Sequence, residues 1–292
     1  MCTYAYFAKT GDGKNKSQYE MANLLYEPRA VDYDDSWHPD YTRRLIDFVG
    51  VRPDDRVLSL ACGTGLEAVH CAPKISDRGT IIGIDATKAM LAVAQTKFDA
   101  DPILKQRVQL IQHDIADLGS CSALEKNSFD LIICSNAFVL LEKRDEIIAQ
   151  WTEYLKPGGR MAIDIPSEQS IPEGTMMETI CARLDVQYAS DRSWMRSIDS
   201  FRTILEAQGL GVKSATVMEK RPGQDVKYLD KVKLQTQFEK VVVAALASKI
   251  IDDDFREKAM PLFDEEWNRL GVDGKVRVCE SLYLYIAEKQ VE

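Results

Sequence analysis

The segment ACGTGLEA, residues 61–68, follows the apolar run VLSLA and leads into an amphipathic stretch. Gly63 and Gly65 let a backbone approach a ligand closely, and the N–H groups that open a helix favour an anionic ligand part. GTGLEA also fits the dinucleotide fingerprint G-x-G-x-x-G/A, with Ala68 in the last place. Asp85 lies 20 residues after Gly65, at the end of the next apolar run, where a carboxylate can accept both hydroxyls of a ribose. Asp114 ends a third run, VQLIQHD. Two acids behind a glycine loop are equipment for holding a nucleoside. Each could instead cap its own strand end, in a chain with 46 acidic residues. Cys62 reads as a small loop residue, since no base lies near it in sequence to make it a nucleophile.

These residues need a frame, and the pattern around them supplies one. VLSLA (57–61), TIIGID (80–85), VQLIQHD (108–114), FDLIICS (129–135) and GRMAIDIP (159–166) read as strands. TGLEAVHCAPK (64–74), TKAMLAVAQTKF (87–98) and EKRDEIIAQWTEYL (142–155) read as helices between them. Continuous apolar strands alternating with amphipathic helices predict an α/β fold with a doubly wound, mostly parallel sheet. A helix at 197–208 and strands at 211–219 and 276–287 bring the sheet to seven strands. Three segments fall outside this core. Residues 1–56 are rich in Tyr, Trp and charge and are expected to form a helical lid segment ahead of a domain spanning 57–292. Residues 167–196, with a Met-Met pair, Tyr188 and Trp194, and residues 224–270 are expected to be helical lid insertions.

Composition sets limits. The chain has 292 residues and a formal net charge of −9, the opposite of the basic surface that nucleic acid requires, so no nucleic-acid partner is expected. Its longest unbroken apolar run, Val241 to Ala247, is far short of the ~20 residues of a membrane span. The N-terminus has no basic segment leading into an apolar one, so no secretory leader is expected. Seven cysteines without a C-x-x-C fit reduced, buried thiols and a cytoplasmic location. His38, His70 and His113 do not cluster with cysteines at ligand spacing, so no metal is expected.

The third strand decides between nicotinamide and S-adenosylmethionine chemistry. Four ordered motifs (VLSLACGTG, IIGIDAT, QHDIADL, LKPGG) span Val57 to Pro166. On these the chain resembles a class I S-adenosylmethionine-dependent methyltransferase, of the small-molecule branch that includes the ubiquinone and menaquinone biosynthesis enzymes. The resemblance implies a Rossmann-like methyltransferase fold with an antiparallel last strand and S-adenosylmethionine as cofactor. It implies that Ala61, Cys62, Gly63 and Gly65 line the methionine and ribose portion, with Asp85 on the ribose hydroxyls. Ala86 and Met90 should flank the adenine, Asp114 should accept its amino group, and Ile115 should offer a backbone N–H. Asn136 and Ala137 should lie under the sulfonium, with a turn former as the plainer alternative for Asn136. Ser59 is counted among the cofactor residues, but it stands where the family often has an acid, as in V-L-D-x-G, and Ala61 stands for Gly.

The acceptor side is less legible. SNAFVLL, after the fourth strand, lacks the N-P-P-Y-like motif of exocyclic amine methylation, and Ala137 stands where arsenite methyltransferases place a thiolate. In similar enzymes a Tyr-Asp pair about thirty residues before the glycine loop closes over the donor, and Tyr33 sits 30 before Gly63. Tyr33 and His38 are the catalytic candidates; His38, beside Pro39, could also be a plain helix-start residue. Tyr26, Trp37 and Phe138 are the candidates for the small-molecule acceptor. Two functions remain open at this point: methylation of a secondary metabolite, or a non-methylating isomerisation or cyclisation on the same fold, which Ser59 alone favours.

Overall fold

The five apolar runs fold as β1 (Arg56–Leu60), β2 (Thr80–Asp85), β3 (Val108–Gln112), β4 (Phe129–Cys134) and β5 (Leu155–Pro166). The structure is a computed structural model and describes residues 18–170, 172–186, 194–224, 226–245 and 253–291. β1 pairs in parallel with β2 and with β4, β2 with β3, and β4 with β5. With β6 (Leu210–Glu219) and β9 (Ser281–Lys289) the sheet has the order β3-β2-β1-β4-β5-β9-β6. The strand order reverses at β1, so the carboxyl ends of β1 and β4 open a crevice of the kind that doubly wound folds use for ligands. The Ser167 N–H donates to the Ser281 carbonyl, and the Gln290 N–H to the Gly209 carbonyl. The end of β5 thus meets the start of β9, and the end of β9 meets the start of β6. β9 runs against both neighbours, and the seven-stranded α/β sheet with an antiparallel last strand is as expected.

The helices follow from pattern and punctuation. In α2 (His38–Val49), Tyr41, Thr42, Leu45, Ile46 and Val49 form one buried stripe. Pro39 opens this helix, and Gly50, in the left-handed region, closes it with an N–H to the Ile46 carbonyl. Its end is fixed to β5 by Arg160, which donates to the Val49 and Gly50 carbonyls and pairs with Asp55 at 2.7 Å in the interior. Such a buried pair holds a geometry more than it adds stability, because desolvation offsets most of its attraction. α3 (Leu66–Cys71), α4 (Lys88–Ala100), α6 (Arg144–Tyr154) and α8 (Ser200–Ala207) occupy the expected stretches. α1 (Gln18–Tyr26) precedes them, and α5 (Pro102–Arg107), capped by the Asp101 carboxylate, adds a turn that the pattern does not announce.

Two compact units emerge. Residues 18–165, 198–220 and 282–291 form the unit with the sheet, and α1 and α2 belong to it. The second is built from residues 166–197 and 221–281. It comprises α7 (Pro172–Arg183), β7 (Val226–Asp230), α9 (Leu234–Ala245), α10 (Asp253–Leu270) and β8 (Lys275–Cys279). Met176, Met177, Phe238, Phe263 and Trp267 form its own apolar core. Here the structure corrects two expectations. Residues 226–230, expected to be helical, form a strand, and the single final strand is two strands parted at Glu280. VKYLD finds its antiparallel partner in KVRVC, far along the chain, which no local pattern reveals. Tyr188 lies outside the described residues. Among the described residues no helix is long and apolar enough to cross a membrane.

Candidate active site

The glycine loop is coiled by three residues in the left-handed region, Ala61 (φ 54°), Gly63 (φ 52°) and Gly65 (φ 81°). A Cβ at Gly65 would run into the ring edge of Phe98 on α4, and the left-handed backbone there strains any other residue as well. At Gly63 a Cβ would meet nothing within 4 Å, which leaves open space beside the backbone. Ala61 holds a conformation that costs an alanine about 1–2 kcal/mol.

Asp85 locks this loop to the end of β2. One carboxylate oxygen accepts the Gly63 N–H and the other the Thr87 N–H, each at 2.8 Å. Burial raises its pKa, and the two backbone donors oppose the shift. Asp85 is therefore a cap for its strand end, as the plainer expectation had it, and it stands directly behind the loop. Asp114 is likewise a cap, accepting the Ala116 N–H at 2.9 Å.

One cleft gathers much of the expected site. Tyr33, His38, Ala61, Cys62, Gly63 and Asn136 line it together with Thr42, Thr64, Leu66, Glu67 and Ser135, around about 270 Å³ of space that is continuous with solvent. The N-terminal segment reaches it through Asp34, which accepts from the Thr64 hydroxyl at 2.6 Å and from Lys97 at 2.7 Å. His38 is at once the first residue of α2 and a wall of the cleft. Its ring stacks between Tyr33 and Trp37, with centroids 4.3 and 4.0 Å away. The Ser36 hydroxyl gives its proton to the Tyr33 carbonyl, so Nδ1 of His38, 2.6 Å from that oxygen, must be the donor. Nε2 is then the acceptor nitrogen of the neutral ring. Burial, reinforced by Tyr26 and by the Glu67 and Asp85 carboxylates, raises the Tyr33 phenol well above its usual pKa, so it stays a neutral donor.

The far wall is organised by Asp164, on β5. It is fully buried and accepts from the Tyr41 hydroxyl, the Ser135 hydroxyl and the Asn136 N–H, at 2.8, 2.8 and 2.6 Å. Asn136 sits in the left-handed region (φ 57°), the turn former that its residue type suggested, and its backbone also faces the cleft.

Other candidates fall elsewhere. Phe138 is fully buried and packs on Trp151 and Phe201 with centroids 5.7 and 4.8 Å away. It is a core residue, because the turn after Asn136 directs it inward, and it does not line the cleft. Ser59 is also outside the lining, and its buried hydroxyl has no hydrogen-bond partner among the described residues. Burial, with help from Asp85 and Glu67, pushes the Cys62 thiol far above its usual pKa, which suits an inert loop residue. Ala86, Met90, Asp114, Ile115 and Ala137 lie around the strand ends without lining this cleft. Tyr26 carries the Arg29 guanidinium over its ring, and Trp37 carries the Lys220 ammonium. Sequence reasoning missed Asp34, Asp164 and Glu67. The signal for Glu67 was present: it is the only Asp, Glu, Lys or Arg between Arg56 and Lys74.

Residues 57–159 match a family described as a methyltransferase domain. The ubiquinone/menaquinone biosynthesis C-methyltransferase of Teredinibacter turnerae is 31% identical over 141 residues, covering 48% of this chain and 53% of that protein. The malonyl-[acyl-carrier protein] O-methyltransferase of Halalkalibacterium halodurans is 28% identical over 151 residues, covering 49% and 54%. The chain spans about half the length of the curated relatives it matches. Among solved structures, a cyclopropane-fatty-acyl-phospholipid synthase-like protein from Lactobacillus casei aligns with a TM-score of 0.61 at 14% identity, over 86% of this chain and 90% of that one. The Haemonchus contortus phosphoethanolamine N-methyltransferase 2 in complex with S-adenosyl-L-methionine aligns at 0.51 and 15% identity, over 86% and 53%. Over residues 57–159 the chain is thus similar to a methyltransferase domain, and the glycine loop and the sheet order agree with that match.

Proposed function

We propose that this chain transfers a methyl group from S-adenosylmethionine to a small-molecule acceptor. The observation that carries the reading is the cleft at the glycine loop. The carboxylates of Asp164 and Asp85 act on Glu67 there, and Lys97, which opposes them, is held by Asp34. That environment suits a nucleoside ligand bearing positive charge. The bound donor supplies an electrophilic methyl group on a positively charged sulfur.

The chain's own residues do the rest. Asp85 fixes the loop and is the residue we assign to the ribose hydroxyls, with Ala86 and Met90 beside the adenine and Asp114 and Ile115 at its polar edge. Ser59, Ala61, Cys62, Gly63 and Gly65 shape the methionine end, and Asn136 and Ala137 the turn beneath it. Methyl transfer is an in-line displacement, so positioning and exclusion of water account for most of the acceleration. Tyr33 closes the cleft with a neutral hydroxyl. His38 takes a proton through Nε2 where the acceptor is a hydroxyl or a carbon acid, and Tyr26 and Trp37 border the acceptor. The named relatives are a C- and an O-methyltransferase, which fits either acceptor atom. The non-methylating reading rested on Ser59 alone, and Glu67 brings a carboxylate to the cleft. We place the reaction in secondary metabolism and in the cytoplasm, a location supported by six free thiols among the described residues. Titration calorimetry with S-adenosylhomocysteine and NADH, followed by mass detection of a +CH2 product from labelled donor and a metabolite extract, tests the whole reading. NADH binding without S-adenosylhomocysteine binding would sink it.

A further inference from the structure

We propose that Glu67 receives the α-ammonium of the donor's methionine part. This rests on the donor assigned above and names a residue for one of its groups. Glu67 lies in the first turn of α3, lines the cleft beside Ala61, Cys62 and Gly63, and is 8% exposed. No other side chain among the described residues hydrogen-bonds to its carboxylate or pairs with it. A carboxylate so buried costs several kcal/mol unless a partner arrives. An ammonium brings both charge and N–H donors to that carboxylate, whereas a water brings no charge. A sulfonium has charge but no donor, so the ammonium is the better match.

Its surroundings give this contact a proton signature. The carboxylates of Asp164 and Asp85 face Glu67, as do Lys97 and the phenols of Tyr33 and Tyr41, and His38 shares the cleft. The neighbouring thiols, Cys62, Cys71 and Cys134, are all held neutral by burial. Burial pushes the Glu67 carboxyl up to about 8, opposed by its own backbone N–H and by Lys97 and reinforced by the two acids. In the empty protein at pH 7 it is mostly the neutral acid. When the ammonium binds, the acid ionises, the new charge pairs with the ligand, and one proton leaves to solvent.

The test compares S-adenosylmethionine, S-adenosylhomocysteine and 5′-methylthioadenosine by calorimetry on the full chain and on Glu67→Gln. The first two carry the ammonium and the third does not. At pH 7, in two buffers of different ionisation enthalpy, the wild type should release about 0.9 proton with S-adenosylhomocysteine, as a group titrating near 8 requires. It should release none with 5′-methylthioadenosine. Glu67→Gln should abolish that release and weaken both ammonium ligands about ten- to a hundredfold, the loss of one charge-assisted hydrogen bond. Its affinity for 5′-methylthioadenosine should stay within about twofold, which also shows that the variant is folded. Should that variant not fold, the wild type alone suffices. Its preference for S-adenosylhomocysteine over 5′-methylthioadenosine should rise roughly tenfold between pH 6.5 and 8. Equal losses for all three ligands, a loss confined to S-adenosylmethionine, or release that persists in Glu67→Gln would overturn the assignment. Absence of binding by any of the three to the wild type would instead remove the donor reading itself, and this inference with it.

Discussion

The carboxylate of Asp34 and the hydroxyl of Thr64, thirty residues apart in sequence, meet at 2.6 Å. The same carboxylate holds Lys97 at 2.7 Å through its other oxygen. One residue of the N-terminal segment thus fastens it to the glycine loop and to α4 together. Asp34→Ala should lower stability by about 1–2 kcal/mol, since both bonds are charge-assisted but partly exposed. Hydrogen exchange should rise across residues 19–40 while the sheet stays protected. If protection of that segment is unchanged, the fastening lies elsewhere.

Tyr33 is stacked on His38 inside the cleft and stays protonated, so its hydroxyl can only give a hydrogen bond to a ligand or accept one. Tyr33→Phe keeps the stack and removes the hydroxyl. Turnover should fall by about tenfold, equivalent to one hydrogen bond in the transition state. Affinity for S-adenosylhomocysteine should change by less than that. A calorimetric and a kinetic measurement on the same preparation separate the two effects.

Asp85 and Ser59 are both buried, yet they should respond in opposite ways. Asp85→Ala strands the Gly63 and Thr87 N–H groups, at a cost of about 2–4 kcal/mol, and weakens nucleoside binding as the loop loosens. Ser59→Ala removes a hydroxyl without a partner, so it should be neutral or stabilise the fold by up to about 1 kcal/mol. Denaturant titrations of the two variants should therefore diverge. Equal effects would mean that Asp85 is not what holds the loop.

Glu67 also leaves a mark on stability. Its carboxyl titrates near 8 in the fold, against 4.5 for an ordinary glutamate. A raised acid contributes stability that is fully present below the unfolded value and is lost as pH climbs toward the folded one. Unliganded wild type should therefore lose ground to Glu67→Gln by up to about 1.4 kcal/mol per pH unit between pH 5 and 8. Chemical denaturation at pH 5, 6.5 and 8 reads this directly. A constant difference between the two proteins would show that Glu67 is not neutral in the empty cleft.

What could be read beforehand, and what could not, divides along sequence separation. The strands around VLSLA, TIIGID and FDLIICS announce themselves because a strand covered on both faces is apolar at every position. Asp85 is legible for a related reason, since its partners Gly63 and Thr87 lie within 22 residues of it. Asp164 shows no sign of its role in AIDIP, because Tyr41 reaches it across 123 residues. The pairing of β7 with β8 is hidden in the same way. Phe138 misled by composition: an aromatic after the fourth strand looks like part of a pocket, and only packing on Trp151 and Phe201 shows that it faces inward. Glu67 was visible as a lone acid in an apolar stretch, yet burial, which gives it meaning, is a property of the fold.

The contact between Gly65 and Phe98 presses the glycine loop against the interior. The ring edge of Phe98 occupies the place a Cβ would need, so the loop can follow its path only with glycine at position 65. Phe98 lies in the main apolar cluster with Leu104 and Ala94, remote in kind from any chemistry. A smaller residue there would do more than leave a void. It would unseat the mould against which the loop is pressed, and nucleoside affinity would register a change made wholly within the core. Packing and recognition in this protein are read on one and the same surface.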